Sequence, residues 1–194
     1  TLEVLGRRED GYHQVRTILQ TIDMADVLEI SSASSLRVEC DDHSLDGDVN
    51  LVWQAAHALA KAANHHPGVQ IYIRKRIPVG MGLGGGSSDA AAALLSLNQL
   101  WGLGLSILEL SQVAAGLGSD VAFFLRGGTA LGEGRGEIIE QLPPLPSLPV
   151  TLICPASTIP NKTSKMYSMI TQANYSDGGV TSRMIEALVG GSFT

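Results

Sequence analysis

Residues 78–89 constrain the fold of this chain more than any other stretch, because glycine occupies five of these twelve positions. The order is Pro-Val-Gly-Met-Gly-Leu-Gly-Gly-Gly-Ser-Ser-Asp, and an alanine- and leucine-rich helix pattern begins at Ala90. Upstream, residues 70–73 alternate polar and apolar side chains as a strand does. Glycine at this density costs much conformational entropy on folding, which indicates that the backbone must approach something closely or adopt positive φ here. The sequence therefore predicts strand, turn, glycine loop (residues 78–89) and helix.

The glycine loop has the properties of a phosphate site. The first amides of the following helix have no acceptor within it and lie at the positive end of its dipole, and Lys75 and Arg76 add charge nearby. Gly80, Gly82 and Gly85 fit the dinucleotide pattern, but the second strand with an acidic end that this pattern requires is missing. A P-loop is excluded because no Gly-Lys-Ser/Thr follows. A tightly packed glycine turn without a ligand is the remaining alternative.

The composition of the 194 residues excludes several classes of partner. The formal net charge is −6 and the pI about 5.3, whereas a general nucleic-acid surface needs a basic face. Aromatic residues make up 5%, too few for a platform that stacks single-stranded bases. The longest apolar run, near residues 90–97, is far shorter than the roughly 20 residues that cross a bilayer. Cys40 and Cys154 lack metal-ligand or CxxC spacing and predict reduced thiols. We expect a cytoplasmic protein with neither nucleic-acid nor membrane partners.

The remaining patterns predict an α+β protein. Strands are expected at 2–5, at 27–30 and 36–40 as a pair joined by a serine-rich turn, and as a hairpin within 127–137; helices are expected at 51–63, 90–101 and from 107 toward 115. Ser106 and Glu109 offer a capping box for the last of these helices.

Prolines between residues 143 and 149 predict a linker and a domain boundary near Leu148. We expect a nucleotide-binding domain over residues 1–147 and a partial second domain over 148–194. The second domain is expected to begin with a strand at 150–154, followed by a helix around 162–171.

Three segments together resemble a known superfamily: residues 6–13 (Gly-Arg-Arg-Glu-Asp-Gly-Tyr-His), residues 75–91 around the glycine loop, and residues 117–130, which include Leu-Gly-Ser-Asp-Val-Ala-Phe-Phe. The chain is similar to the galactokinase, homoserine kinase, mevalonate kinase and phosphomevalonate kinase (GHMP) superfamily. The Gly-Tyr-His segment and Gly-Glu-Gly-Arg-Gly-Glu at 132–137 resemble the branch that phosphorylates the 2-hydroxyl of 4-diphosphocytidyl-2-C-methyl-D-erythritol in non-mevalonate isoprenoid synthesis. The resemblance implies a two-domain kinase, with an N-terminal mixed sheet and helices like domain 2 of ribosomal protein S5 and a truncated C-terminal α/β sandwich.

The resemblance also implies roles for individual residues. Asp120 would be the catalytic carboxylate that takes or orients the hydroxyl proton, and capping of the turn at Gly118 is its alternative role. Tyr12 and His13 would bind the cytidine, with Tyr167 as the opposing aromatic ring. Without the resemblance, Tyr12 would be a half-buried strand residue and His13 a surface histidine.

ATP with Mg²⁺ is the implied phosphate donor. The residues implied to bind it are Asn50, Lys75, Pro78, Val79, Gly80, Met81, Gly82, Leu83, Gly84, Gly85, Gly86, Ser87 and Ser88. Asn50 equally fits the N-cap of the helix at 51–63. Mg²⁺ would be held mostly by phosphate and water, so no dedicated metal-ligand set is expected. The resemblance implies that Ser87 and Ser88 either donate to phosphate or reach the Mg²⁺ ion.

The chain departs from the superfamily at its ends. A Pro-Ala-Lys segment with a catalytic lysine precedes the corresponding first residue in the superfamily, and roughly a hundred further residues follow its last. We therefore expect the 194 residues alone to bind nucleotide weakly and to phosphorylate poorly. The alternatives are a homoserine or mevalonate kinase and a non-catalytic nucleotide-binding remnant.

Overall fold

The computed structural model describes residues 1–154 and 162–191, and all structural statements concern these residues. They form two compact units: unit 1 comprises residues 1–21 and the described residues from 127 onward, and unit 2 comprises residues 22–126. In chain order the elements are β1 (Leu2–Arg7), β2 (His13–Gln20), β3 (Val27–Ser32), β4 (Arg37–Cys40), α1 (Leu51–Ala62), β5 (Val69–Arg74), α2 (Gly85–Leu100), α3 (Ile107–Ala115), α4 (Val121–Phe124), β6 (Thr129–Gly134), β7 (Ile138–Gln141), α5 (Lys162–Ser168) and α6 (Gly179–Val189).

Unit 1 is built on an antiparallel sheet with strand order β1-β2-β6-β7. The β6–β7 hairpin confirms a hairpin that begins in the glycine-rich segment, but its second strand, Ile138–Gln141, lies beyond the predicted end at residue 137. Helix α6 is fixed to β1 by Glu3, whose carboxylate accepts the backbone N–H of Thr181 at 2.6 Å. Hydrogen bonds from Thr181, side chain first and then backbone, lower the pKa of Glu3 to about 2. A carboxylate at a helix N-terminus is also favoured by the helix dipole.

Unit 2 is a three-stranded mixed sheet with order β3-β5-β4, packed with helices. Val69, Ile71 and Ile73 alternate along β5 and are fully buried, as the period of a strand dictates. Leu59 of α1 and Leu94 of α2 are also fully buried, and these two helices contact each other extensively. This core fixes where β5 ends and α2 begins, and therefore where the glycine loop lies.

Three local predictions were wrong. The strands at 27–30 and 36–40 do not pair with each other, because β5 lies between them, antiparallel to β3 and parallel to β4. The parallel pair needs a crossover, and α1 supplies it, so a local turn could not reveal this pairing. Helix α2 begins at Gly85, five residues earlier than predicted, and residues 150–154 are not a strand.

Other predictions agree with the structure. Helix α1 begins after Asn50, and α3 begins with the predicted capping box, in which Ser106 and Glu109 exchange hydrogen bonds. Helix α5 occupies the first part of the predicted helix at 162–171. The domain boundary near Leu148 stays a prediction. Among the residues described, no helix combines the length and the apolar character needed to span a membrane.

Candidate active site

A cavity of about 270 Å³ lies in unit 2 beside the glycine loop. Its wall combines apolar side chains from the segment before α1 with the loop backbone. The lining residues are Leu45, Val49, Asn50, Leu51, Lys75, Ile77, Pro78, Val79, Gly80, Gly82, Leu83, Gly84, Gly85, Gly86, Ser87 and Asp89. Every residue predicted to bind nucleotide is therefore in the wall except Met81 and Ser88.

The glycines of the loop are required for different reasons. Gly80, Gly82 and Gly84 have φ angles of +74°, +81° and +72°, a region that residues with a Cβ rarely adopt. A Cβ on Gly84 would lie 2.8 Å from the Phe124 ring of α4. A Cβ on Gly85 would lie 2.9 Å from Cγ2 of Ile77. These two glycines let the loop pack against its own unit.

Gly86 is the exception among these glycines. It is exposed, it lines the cavity, and a Cβ placed on it would meet no atom within 4 Å. Its φ is not positive either, since it lies within α2. Neither packing nor backbone strain in the protein accounts for a glycine here, whereas close approach of a ligand to the backbone would.

The start of α2 presents unpaired amides. The first helical hydrogen bond runs from the N–H of Ser88 to the carbonyl of Gly84, at 2.8 Å. The N–H groups of residues 85–87 precede it and have no acceptor inside the helix, so they can donate to an anion. Ser88 directs its hydroxyl to the carbonyl of Gly85, at 2.8 Å.

Asn50 has the cap position that the sequence also allowed. Its side-chain oxygen accepts the N–H of Val52 at 2.9 Å, and its Nδ2 donates to the carbonyl of Leu45 at 2.8 Å. Asn50 thus caps α1 and holds Leu45, which lines the same cavity.

Lys75 is held by two carboxylates that the sequence predictions missed. Its ammonium donates to Asp26 and, at 2.8 Å, to Asp89. These partners come from the segment before β3 and from α2, so no local pattern connects them. The only available signal was that an acidic residue directly follows the two serines of the loop.

Asp120 lies at the start of α4, and its carboxyl makes no capping hydrogen bond. This finding removes the alternative role as a turn cap. Desolvation by the surrounding protein raises the pKa of Asp120, although the residue as a whole remains exposed. Asp120 and Phe124 lie four residues apart in helical conformation and so share one face of α4. The Phe124 ring contacts the loop at Gly84, so α4 connects Asp120 to the glycine loop within unit 2.

In unit 1, Tyr12 stands in the turn before β2 with 55% of its surface exposed, so it is not a half-buried strand residue. The guanidinium of Arg135, from the β6–β7 turn, lies over its ring at 4.7 Å from the centroid. Asp10 accepts the backbone N–H of Tyr12 at 3.1 Å and pairs with Arg8. The ring is therefore held in place although it faces solvent.

His13 is next to two aromatic rings. Tyr167 of α5 lies 5.3 Å away, with 30° between the ring planes, and Tyr175 lies 6.5 Å away in an edge arrangement. The predicted neighbour Tyr167 thus packs on His13, and Tyr175 is an additional aromatic residue that the sequence predictions missed. Nothing in its local pattern, a tyrosine after a short 3-10 turn, distinguishes it. Among residues 1–154 and 162–191, no group of three or more His, Cys, Asp or Glu side chains is placed to hold a metal ion.

The fold and the glycine loop place the chain in a class of small-molecule kinases. The GHMP kinases N terminal domain matches residues 50–128, which include α1, the glycine loop, α2 and Asp120. A crystal structure of 4-(cytidine 5'-diphospho)-2C-methyl-D-erythritol kinase superposes with a TM-score of 0.73 at 34% identity and covers 98% of this chain and 68% of that chain. Homoserine kinase from Cytophaga hutchinsonii, at 20% identity and a TM-score of 0.64, shows the same fold over 93% of this chain and 61% of its own.

Curated relatives define the family more narrowly. The 4-diphosphocytidyl-2-C-methyl-D-erythritol kinase of Dehalococcoides mccartyi (strain CBDB1) is 38% identical and covers 100% of this chain, which spans 69% of that enzyme. The enzyme of the same name from Bacillus cereus (strain B4264) is 50% identical over 80% of this chain and 55% of its own length. The chain belongs to the 4-diphosphocytidyl-2-C-methyl-D-erythritol kinase family.

Proposed function

We propose that unit 2 binds ATP in the cavity beside the glycine loop and that Asp120 acts on the hydroxyl group that receives the phosphoryl group. The observation that carries this proposal is the cavity wall, which is apolar at Leu45 and Val49 and lined by free amides at the start of α2. An adenine ring suits the apolar part, and a triphosphate suits the amides. The open space beside Gly86 also supports this proposal, because it would let a phosphate group lie close to the backbone.

The acceptor proposed here is the 2-hydroxyl of 4-diphosphocytidyl-2-C-methyl-D-erythritol. The hydroxyl oxygen forms a bond to the γ-phosphorus, the bond from that phosphorus to the β–γ bridging oxygen breaks, and the hydroxyl proton passes to Asp120. Mg²⁺ bound to the phosphates would neutralise developing charge. The carboxylate of Asp120 makes no capping hydrogen bond and has a raised pKa, so it is suited to taking a proton.

The cytidine part of this substrate is assigned to the aromatic residues of unit 1. Tyr12 offers an exposed ring, and His13 with Tyr167 and Tyr175 offers further rings and ring nitrogens. Pyrimidine recognition uses stacking plus hydrogen bonds to the base edge, whereas homoserine or mevalonate contains no ring to stack. This cluster supports the cytidylated substrate over the other acceptors of the superfamily. We also propose a cytoplasmic location, as expected for an enzyme of small soluble metabolites.

The experiment is calorimetric binding followed by turnover. The chain is titrated with Mg-ATP and with the cytidylated methylerythritol, and ADP release is then measured with that substrate, homoserine or mevalonate. Binding of both ligands, with slow turnover that is restricted to the cytidine substrate and lost in Asp120→Asn, supports the proposal. Absence of ATP binding, or a preference for homoserine or mevalonate, contradicts it.

A further inference from the structure

Asp26, Lys75 and Asp89 form a buried group of charges that we call the ion cluster. The exposed fractions of their side chains are 1%, 11% and 6%. The Lys75 ammonium donates to Oδ2 of both carboxylates, at 2.8 Å in the case of Asp89. Buried charges are tolerated only when they are paired and hydrogen-bonded, and this geometry meets that condition.

The ion cluster joins the two ends of the glycine loop. The other oxygen of Asp26, Oδ1, accepts the backbone N–H groups of Arg76 and Ile77, the residues directly before the loop. The Lys75 ammonium lies beside Gly85, since a Cβ added there would be 3.3 Å from it. Asp89 then connects the ammonium to the second turn of α2. One lysine therefore links the chain entering the loop to the helix leaving it.

The charges of the cluster do not favour a role in attracting phosphate. Burial raises the pKa of Asp89 to about 6. Burial also acts against the charged forms of Asp26 and Lys75, yet their mutual hydrogen bonds lower the pKa of Asp26 and raise that of Lys75. With both carboxylates ionised, one ammonium faces two negative charges. By Coulomb's law alone, removing one carboxylate should strengthen the binding of a triphosphate.

We propose that Asp26 and Asp89 are positioning residues for the glycine loop. By holding Lys75 they fix both ends of the part of the loop that precedes α2, residues 78–84, so that the loop amides are arranged before the triphosphate binds. The inference rests on the nucleotide site proposed above. The loop contains three glycines at positive φ, and ordering such a segment during binding would reduce affinity. Fixing the two ends reduces the number of conformations that the loop can adopt when no ligand is bound.

The test compares ligands that do and do not reach the loop. Affinities of Mg-ATP and AMP are measured by calorimetry for the full chain and for Asp89→Ala and Asp89→Asn, well below the unfolding temperature of each. Asp89→Ala should weaken ATP binding by roughly tenfold or more and change AMP binding by less than about twofold. Asp89→Asn, which can still accept from Lys75, should restore part of the ATP affinity. The matched control is Glu29→Gln, which removes an exposed carboxylate of unit 2 that pairs with Arg74 and does not line the cavity, and it should leave both affinities unchanged.

Four results would overturn the inference. Tighter ATP binding in Asp89→Ala would mean that the cluster affects the ligand through its charge alone. Unchanged ATP binding would mean that the cluster does not affect the ligand. Equal weakening of ATP and AMP would indicate general damage to the site. A wild-type chain that does not bind ATP removes the nucleotide site itself, which is a failure of the proposed function and is seen before any variant is compared.

If Asp89→Ala does not fold, Asp26→Asn takes its place, because the amide oxygen can still accept the N–H groups of Arg76 and Ile77. Asp26→Asn should also weaken the binding of ATP and not that of AMP.

Discussion

Gly86→Ala should stabilise the protein and weaken its binding of ATP. Gly86 lies within α2 with no positive φ, and an added Cβ meets no atom within 4 Å. Replacing glycine by alanine at a compatible helical position stabilises a protein by about 0.4–1 kcal/mol, mainly through the unfolded chain. For a chain of this size such a gain raises the melting temperature by roughly 1–4 °C.

The same methyl group would occupy space beside the free amides of α2. A phosphate forced away from these amides would lose charge-assisted hydrogen bonds of about 1.5–3 kcal/mol each, so ATP affinity should fall by about tenfold or more. The opposite signs of the two effects separate ligand binding from folding. A variant that merely damaged the site by unfolding could not show both.

The assay pairs thermal unfolding with calorimetric titration of Mg-ATP. Ser96→Ala is the matched control, because Ser96 is exposed in the same helix, does not line the cavity, and gains helix propensity on substitution. It should raise the melting temperature without changing ATP affinity. Gly86→Ala with unchanged ATP affinity would refute the reasoning that the space at Gly86 is reserved for phosphate.

Further substitutions test the remaining parts of the structure. Gly84→Ala should lower the melting temperature, since it adds a positive-φ penalty of about 1–2 kcal/mol to a clash with Phe124; an unaltered melting temperature would contradict the loop geometry. Asp120→Asn should reduce kcat by about 10²–10⁴-fold with little change in ATP affinity, and wild-type kcat should rise with pH as this carboxyl ionises; a pH-independent, active variant would exclude it as the base. Tyr175→Ala should raise KM for the cytidine substrate by roughly tenfold while Tyr175→Phe does not, and equal KM values would remove Tyr175 from base binding. The lowered pKa of Glu3 stabilises unit 1 fully above pH 4.5, and this contribution is lost as pH falls toward about 2; Glu3→Gln should therefore flatten the acid limb of a stability–pH profile, and an unchanged limb would argue against the bond to Thr181.

The sequence alone was sufficient for features that depend on neighbouring residues. The glycine loop, the cap at Asn50 and the capping box at Ser106 each follow from backbone chemistry within a few positions. The segment 6–13 and Asp120 could be interpreted through a family resemblance, and the relatives confirm that family. Their individual roles remain proposals.

Tertiary structure decided what depends on distant segments. The insertion of β5 between β3 and β4 follows from the crossover through α1, and periodicity within one strand carries no information on its neighbours. The sequence predicted that Lys75 adds positive charge near the loop, yet its ammonium donates hydrogen bonds to two carboxylates, those of Asp89 and of Asp26, which is 49 positions away. Sequence shows which side chains can ionise, but the net charge that a ligand meets is set by which of them are buried together.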